Sequence, residues 1–125
     1  MMAKNPLETN ERGLIKDQRY FTFFNALKQY LCQSGWEYAL EMVAAIQKMA
    51  AIDPAYAKHV ALWIKTGSTV ILRDELCEPF RDFSFVRRAD PIIPLAYVNM
   101  WEAIDSSWRH ANAAMKEASI NDQAD

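Results

Sequence analysis

This chain of 125 residues contains only three glycines, two cysteines and two histidines. Each shortage excludes something. Gly13, Gly35 and Gly67 stand far apart, so there is no glycine-rich loop of the kind that cradles phosphates. Cys32 and Cys77 form neither a disulfide framework nor a Cys-x-x-Cys motif. Both fall in predicted helices among apolar neighbours and read as small core residues. His59 and His110 belong to different predicted helices and read as surface or boundary residues. The spacings His-x-x-x-His and Glu-x-x-His, the latter used by helical di-iron sites, are absent. No metal or cofactor is expected. A nucleophile–base pair such as Cys77 with His59 would have to be assembled in space, and no nucleophile-elbow signature supports one.

Long apolar runs are missing too. A stretch such as Met42 to Ile46 falls far short of the roughly 20 residues that cross a membrane. Residues 1–16 carry no continuous apolar segment of signal-peptide type. The expectation is a soluble, cytoplasmic protein. Neither sign of charge dominates: 14 basic and 16 acidic side chains leave a formal net charge of −2. A non-specific nucleic-acid binder is usually clearly basic. The second half, residues 67–125, is the more acidic, yet it holds Arg73, Arg81, Arg87, Arg88 and Arg109.

What the chain has in plenty is apolar and aromatic side chains. Hydrophobic residues make up 51% of it, with four tryptophans, five tyrosines and six phenylalanines. A single domain of this length buries a core without disulfides or metals. The clearest pattern is Tyr97, Met100, Trp101, Ile104, Trp108, Ala111 and Met115, whose period near 3.6 marks one face of a long helix.

Three earlier helices follow from stripes and caps. Asp17 caps a helix of about 18–33 with Tyr20, Phe23, Phe24, Leu27, Tyr30 and Leu31 on its inner face. Gly35 suits its end, and Ser34 with Glu37 has capping-box spacing for the next helix. That second helix, about 35–50, presents Trp36, Ala39, Leu40, Val43, Ile46 and Ala50. Asp53-Pro54 then opens a third, about 54–66, with Ala57, Val60, Ala61 and Ile64 facing inward. Gly67 closes it. Residues 69–77 suit a short helix capped by Ser68, or equally a strand over Thr69-Val70-Ile71-Leu72.

Asn5-Pro6-Leu7-Glu8 resembles a helix start, so residues 1–16 read as an arm with one irregular turn. Residues 78–93 are punctuated by Pro79 and Pro91 and read as an irregular loop. The last helix begins near Pro94 and runs to about 117. The organisation is thus an arm over 1–16, one helical domain over 17–118 and a frayed tail over 119–125. The fold class is all-α, a compact bundle of four to five helices.

No catalytic constellation emerges, and the chain reads as a non-enzymatic protein-interaction module, acting as an accessory, regulatory or inhibitor protein and as a homodimer. The aromatic supply exceeds what one core needs, and exposed aromatics with arginines mark contact surfaces. The candidate contact residues are Phe83, Phe85, Arg87 and Arg88 in the loop, with Trp101 and Trp108 in the last helix. Two rivals stand beside this reading. Arg81, Arg87 and Arg88 with Phe83 and Phe85 could grip phosphates and stack on bases. Alternatively, a pocket lined by Trp, Tyr and Met, with Met42, Met49, Met100 and Met115 as an adaptable wall, could hold a small apolar ligand or an active site.

Overall fold

Asp17 starts the first helix in the computed structural model, which describes residues 5, 7–9, 11, 15–81 and 93–123. Its carboxylate accepts the Arg19 amide at 3.0 Å, and α1 runs Gln18–Gln33. Helix α2 spans Glu37–Ile52 and α3 spans Pro54–Thr66. A π-helical segment, Ile71–Cys77, leads into a 3-10 turn, Glu78–Phe80. The long helix α4 covers Ile93–Gln123. The fold is an all-α bundle. Among the described residues the only strand-like feature is one antiparallel bridge between Thr9 and Ile15.

The breaks between helices are local in origin. Gly35 adopts φ +76° and Gly67 φ +68°, a left-handed geometry that a side chain resists. The Asp53 carboxylate accepts amides from Ala55 at 3.0 Å and Tyr56 at 3.2 Å, while Pro54 occupies the first turn, where no amide is needed. Ser68 Oγ accepts the Ile71 amide at 3.3 Å. That cap, with no partner strand among the described residues, resolves 69–77 as helix. Its wide turn, closed by bonds one residue longer than in an α-helix, is rare.

Four sequence expectations need correction. Trp36 is not on the inner stripe of α2: it precedes the helix as a cap with no side-chain bond and is 43% exposed. The capping box of Ser34 and Glu37 does not form, because α2 begins only at Glu37. Cys32 is exposed and Cys77 alone is buried. The long helix also extends past the expected end near 117, as no glycine or proline follows to stop it.

The described start of the arm is a single turn, in which the Glu8 amide donates to the Asn5 carbonyl at 3.3 Å. Asn5 Nδ2 donates to the carbonyls of Ala50 at 3.0 Å and Ala51 at 3.3 Å, satisfying carbonyls that the end of α2 leaves unpaired. Asn5 Oδ1 accepts the Leu7 amide at 2.9 Å. This places Leu7, only 1% exposed, in the core.

The core is continuous through all helices. Phe23 makes edge-on contacts with Phe24 and with Trp63, at 5.5 and 5.4 Å between ring centres. Leu27 and Leu31 of α1, Met42 and Ile46 of α2, and Met100 and Ile104 of α4 are buried around them. Each such side chain stabilises the fold by about 1.5–3 kcal/mol on transfer from water. Helix α4 packs chiefly along α1. The Tyr56 hydroxyl donates to the Leu76 carbonyl at 2.7 Å and ties α3 to the π-helical segment.

Candidate functional site

Helix α3 has two usable faces. Ala57, Val60, Trp63 and Ile64 form the buried one. Lys58, Ala61, Leu62 and Lys65 follow the same helical spacing on another side of the helix. This second face lines a groove of about 840 Å³. Arg19 and Tyr20, at the start of α1, line it as well, as do Asn112, Met115 and Lys116 of α4. Leu62 is 46% exposed there, so an apolar surface faces solvent.

Trp108 joins the two helices that flank this groove. Its Nε1 donates to the Ile64 carbonyl at 3.1 Å, and its ring lies against Gly67. The lining residues of α4 come after Trp108, and those of α3 come before Gly67.

The groove's charge is of one sign. Lys58, Lys65, Lys116 and Arg19 line it, and among the described residues no carboxylate does. Arg19 is engaged by Asp17 at 3.0 Å and sits over the Tyr20 ring at 5.6 Å. Among the described residues no carboxylate pairs with Lys58, Lys65 or Lys116. The apolar surface comes from Tyr20, Ala61, Leu62, Ile64 and Met115. Such an arrangement has the chemistry to receive an apolar surface edged with anions. Among the described residues it offers no cysteine, histidine or carboxylate for nucleophilic or general-base chemistry.

Phe83, Phe85, Arg87 and Arg88 lie outside the described residues. Trp101 and Trp108 are both half-buried and packed against the core. Trp101 lies beneath the Arg73 guanidinium, 6.0 Å from its ring centre. Arg73 also pairs with Asp74 at 2.8 Å, and Arg81 with Glu78 at 3.5 Å. Two of the cations that a nucleic-acid face would use are thus met by carboxylates.

The titratable residues singled out from the sequence are scattered. His59 pairs with Glu75 at 3.9 Å, and His110 packs on the Tyr30 ring with 4.4 Å between ring centres. Cys77 is buried, and burial pushes its thiol up to about 12, which disfavours the nucleophilic thiolate. None of the three lines the groove. Among the described residues no group of three or more His, Cys, Asp or Glu side chains could hold a metal ion. No described helix is long and apolar enough to cross a membrane. Met42 and Met100 are core residues, and Met115 is the one member of the expected methionine wall that lines the groove.

Sequence reasoning missed Lys58, Leu62, Lys65 and Lys116. The available signal was Lys-x-x-Ala-Leu-x-x-Lys over 58–65, an apolar pair between lysines two turns apart and beside the main stripe. The chain matches no protein-family model, no curated protein and no solved structure.

Proposed function

We propose that this chain is a small non-enzymatic protein-interaction module, an accessory, regulatory or inhibitor protein, that works as a homodimer and grips a partner in the groove between α1, α3 and α4. The observation that carries the reading is Leu62. A large apolar side chain 46% exposed, set in a concave surface among lysines that pair with no carboxylate among the described residues, is a contact surface awaiting cover. Among the described residues no cysteine, histidine or carboxylate joins the groove lining, which favours the binding reading.

The groove volume of about 840 Å³ also falls within the range of small-ligand sites, about 300–1,000 Å³. An acidic, apolar small molecule is therefore the second reading. Native mass spectrometry of freshly purified protein at low salt separates the two. The expected result is a dimer with no added mass. A monomer carrying a small molecule or an oligonucleotide overturns the interaction reading, and the added mass gives the chemical class of the ligand.

A further inference from the structure

Resting on the protein-binding reading, we infer that the occupant of the groove is an acidic amphipathic helix of a partner protein. Four features argue for this class.

The first is charge. Acidic side chains outnumber basic ones in this chain, 16 to 14, yet among the described residues the groove gathers Arg19, Lys58, Lys65 and Lys116 and no carboxylate. These cations come from three helices, so the tertiary fold concentrates them. A partner of opposite sign is steered in and held in register by such a rim.

The second is spacing. Lys58 and Lys65 are one heptad apart on α3, about 10 Å along the axis at 1.5 Å per residue. A helix lying along α3 brings carboxylates one heptad apart to both ammonium groups. Lysine stems reach alongside an apolar contact while their heads stay wet.

The third is the apolar surface. Leu62 supplies a projecting side chain, Ala61 a place where a second backbone comes close, and Met115 an adaptable contact. A helix-in-groove complex uses an apolar face at i, i+3, i+4 and i+7 in this way.

The fourth is shape and composition. A concave site fits a cylinder better than the flat surface of a bilayer. A single-stranded nucleic acid needs aromatic platforms for its bases, and among the described residues Tyr20 is the only aromatic one lining the groove.

The test uses the full chain and three fluorescent peptides of about two heptads. One places Leu on one helical face and Glu on the other. The second has Lys in place of every Glu. The third has the first peptide's composition in shuffled order. Fluorescence anisotropy reports affinity, and amide chemical shifts report the site. The acidic amphipathic peptide is expected to bind at least about tenfold tighter than either control, and more weakly as salt rises. Lys65→Glu and Lys58→Glu each lower that affinity several-fold, while Lys48→Glu, the same charge change on the exposed face of α2, does not. Leu62→Ser lowers it with no change in charge. Because all these positions are exposed, the variants keep the helical circular dichroism of the parent. Shifts gather at 58–65 and 112–116.

Equal binding of all three peptides, insensitivity to Lys65→Glu, or shifts located elsewhere overturn the inference. So does tighter binding of phosphatidylserine vesicles or a single-stranded oligonucleotide through the same lysines. A photoreactive residue in place of Leu62 in the full chain, irradiated in its native cell extract, separates this failure from failure of the broader reading. A cross-linked protein, with no affinity for the acidic peptide, overturns the acidic helix and spares the interaction module. Cross-linking to lipid or nucleic acid alone overturns both.

Discussion

The indole ring of Trp108 occupies the space that a Cβ on Gly67 would need. A methyl group built there comes 3.0 Å from two ring carbons. The same indole donates its Nε1 proton to the Ile64 carbonyl at 3.1 Å, near the end of α3, where carbonyls have lost their helical partners. Gly67 therefore has two duties. It turns the chain out of α3 with φ +68°, and it leaves room for the residue that ties α4 to α3 beside the groove.

Gly67→Ala is expected to cost more than Gly35→Ala. Both glycines have positive φ, and each substitution incurs about 1–2 kcal/mol of left-handed backbone strain. A Cβ at Gly35 meets nothing within 4 Å, whereas one at Gly67 meets the Trp108 ring, which adds about 1–3 kcal/mol of overpacking. Urea denaturation of the two variants measures the difference. Equal midpoints would show that the ring yields freely. Trp108→Ala placed beneath Gly67→Ala should remove the excess, as a double-mutant cycle reads it.

Asn5→Ala should release the arm. The variant loses the two bonds to the Ala50 and Ala51 carbonyls and the bond to the Leu7 amide. The expected destabilisation is about 1–2 kcal/mol, the cost of a lost cap. Hydrogen exchange should quicken at the Leu7 amide and leave α4 protected. Unchanged protection at Leu7 would contradict the clamp.

The two cysteines should behave differently toward a bulky aromatic disulfide reagent. Cys32 is exposed and Cys77 buried, so one thiol reacts at once in the native protein and the second only as the protein unfolds. The Cys32→Ser variant should show no fast phase. Two fast thiols in the parent would place Cys77 at the surface.

Stability should fall at alkaline pH. Burial raises the Cys77 thiol from 9.0 to about 12. The Tyr56 hydroxyl is raised well above its ordinary 10.0, by burial first and the neighbouring Cys77 second. In the unfolded chain both groups lose their protons near their ordinary values, while the folded chain retains them. The folded state then binds more protons, so the stability these groups support is fully present below about pH 9 and declines as pH rises above it. Urea midpoints across the alkaline range should show this slope, and Cys77→Ala and Tyr56→Phe should each flatten it. Tyr56→Phe also leaves the buried Leu76 carbonyl without its 2.7 Å bond, at a cost of about 1–3 kcal/mol near neutral pH. A parent midpoint that stays level from neutral to strongly alkaline pH would contradict the burial of both groups.

Much of the helical order was legible because it depends on neighbours in the chain. Asp17, Asp53-Pro54, Gly35 and Gly67 act on backbone groups within a turn of themselves, and the helices start and stop where they stand. Legibility ended where local signals were ambiguous. Asn5 caps its own turn through the Leu7 amide, as its sequence context suggests, but no local signal reveals that its Nδ2 reaches the Ala50 and Ala51 carbonyls far along the chain. Cys32 follows the buried Leu31, but successive helical residues point about 100° apart, and this step carries Cys32 outside. Trp36 has the spacing of the α2 stripe but stands before the first helical residue.

The sequence alone determined that this is an all-α chain, with its early helices bounded by capping carboxylates and left-handed glycines, because those contacts are short-range. The spacing already put Ala57, Val60 and Ile64 on the inner face of α3; only the tertiary structure decided that Trp63, packed on Phe23, joins them while Ala61 faces the groove with Leu62. The same packing brings Arg19, Lys58, Lys65 and Lys116 around that groove. No local pattern reveals that gathering, because the four cations sit on three separate helices and meet only once the core has closed.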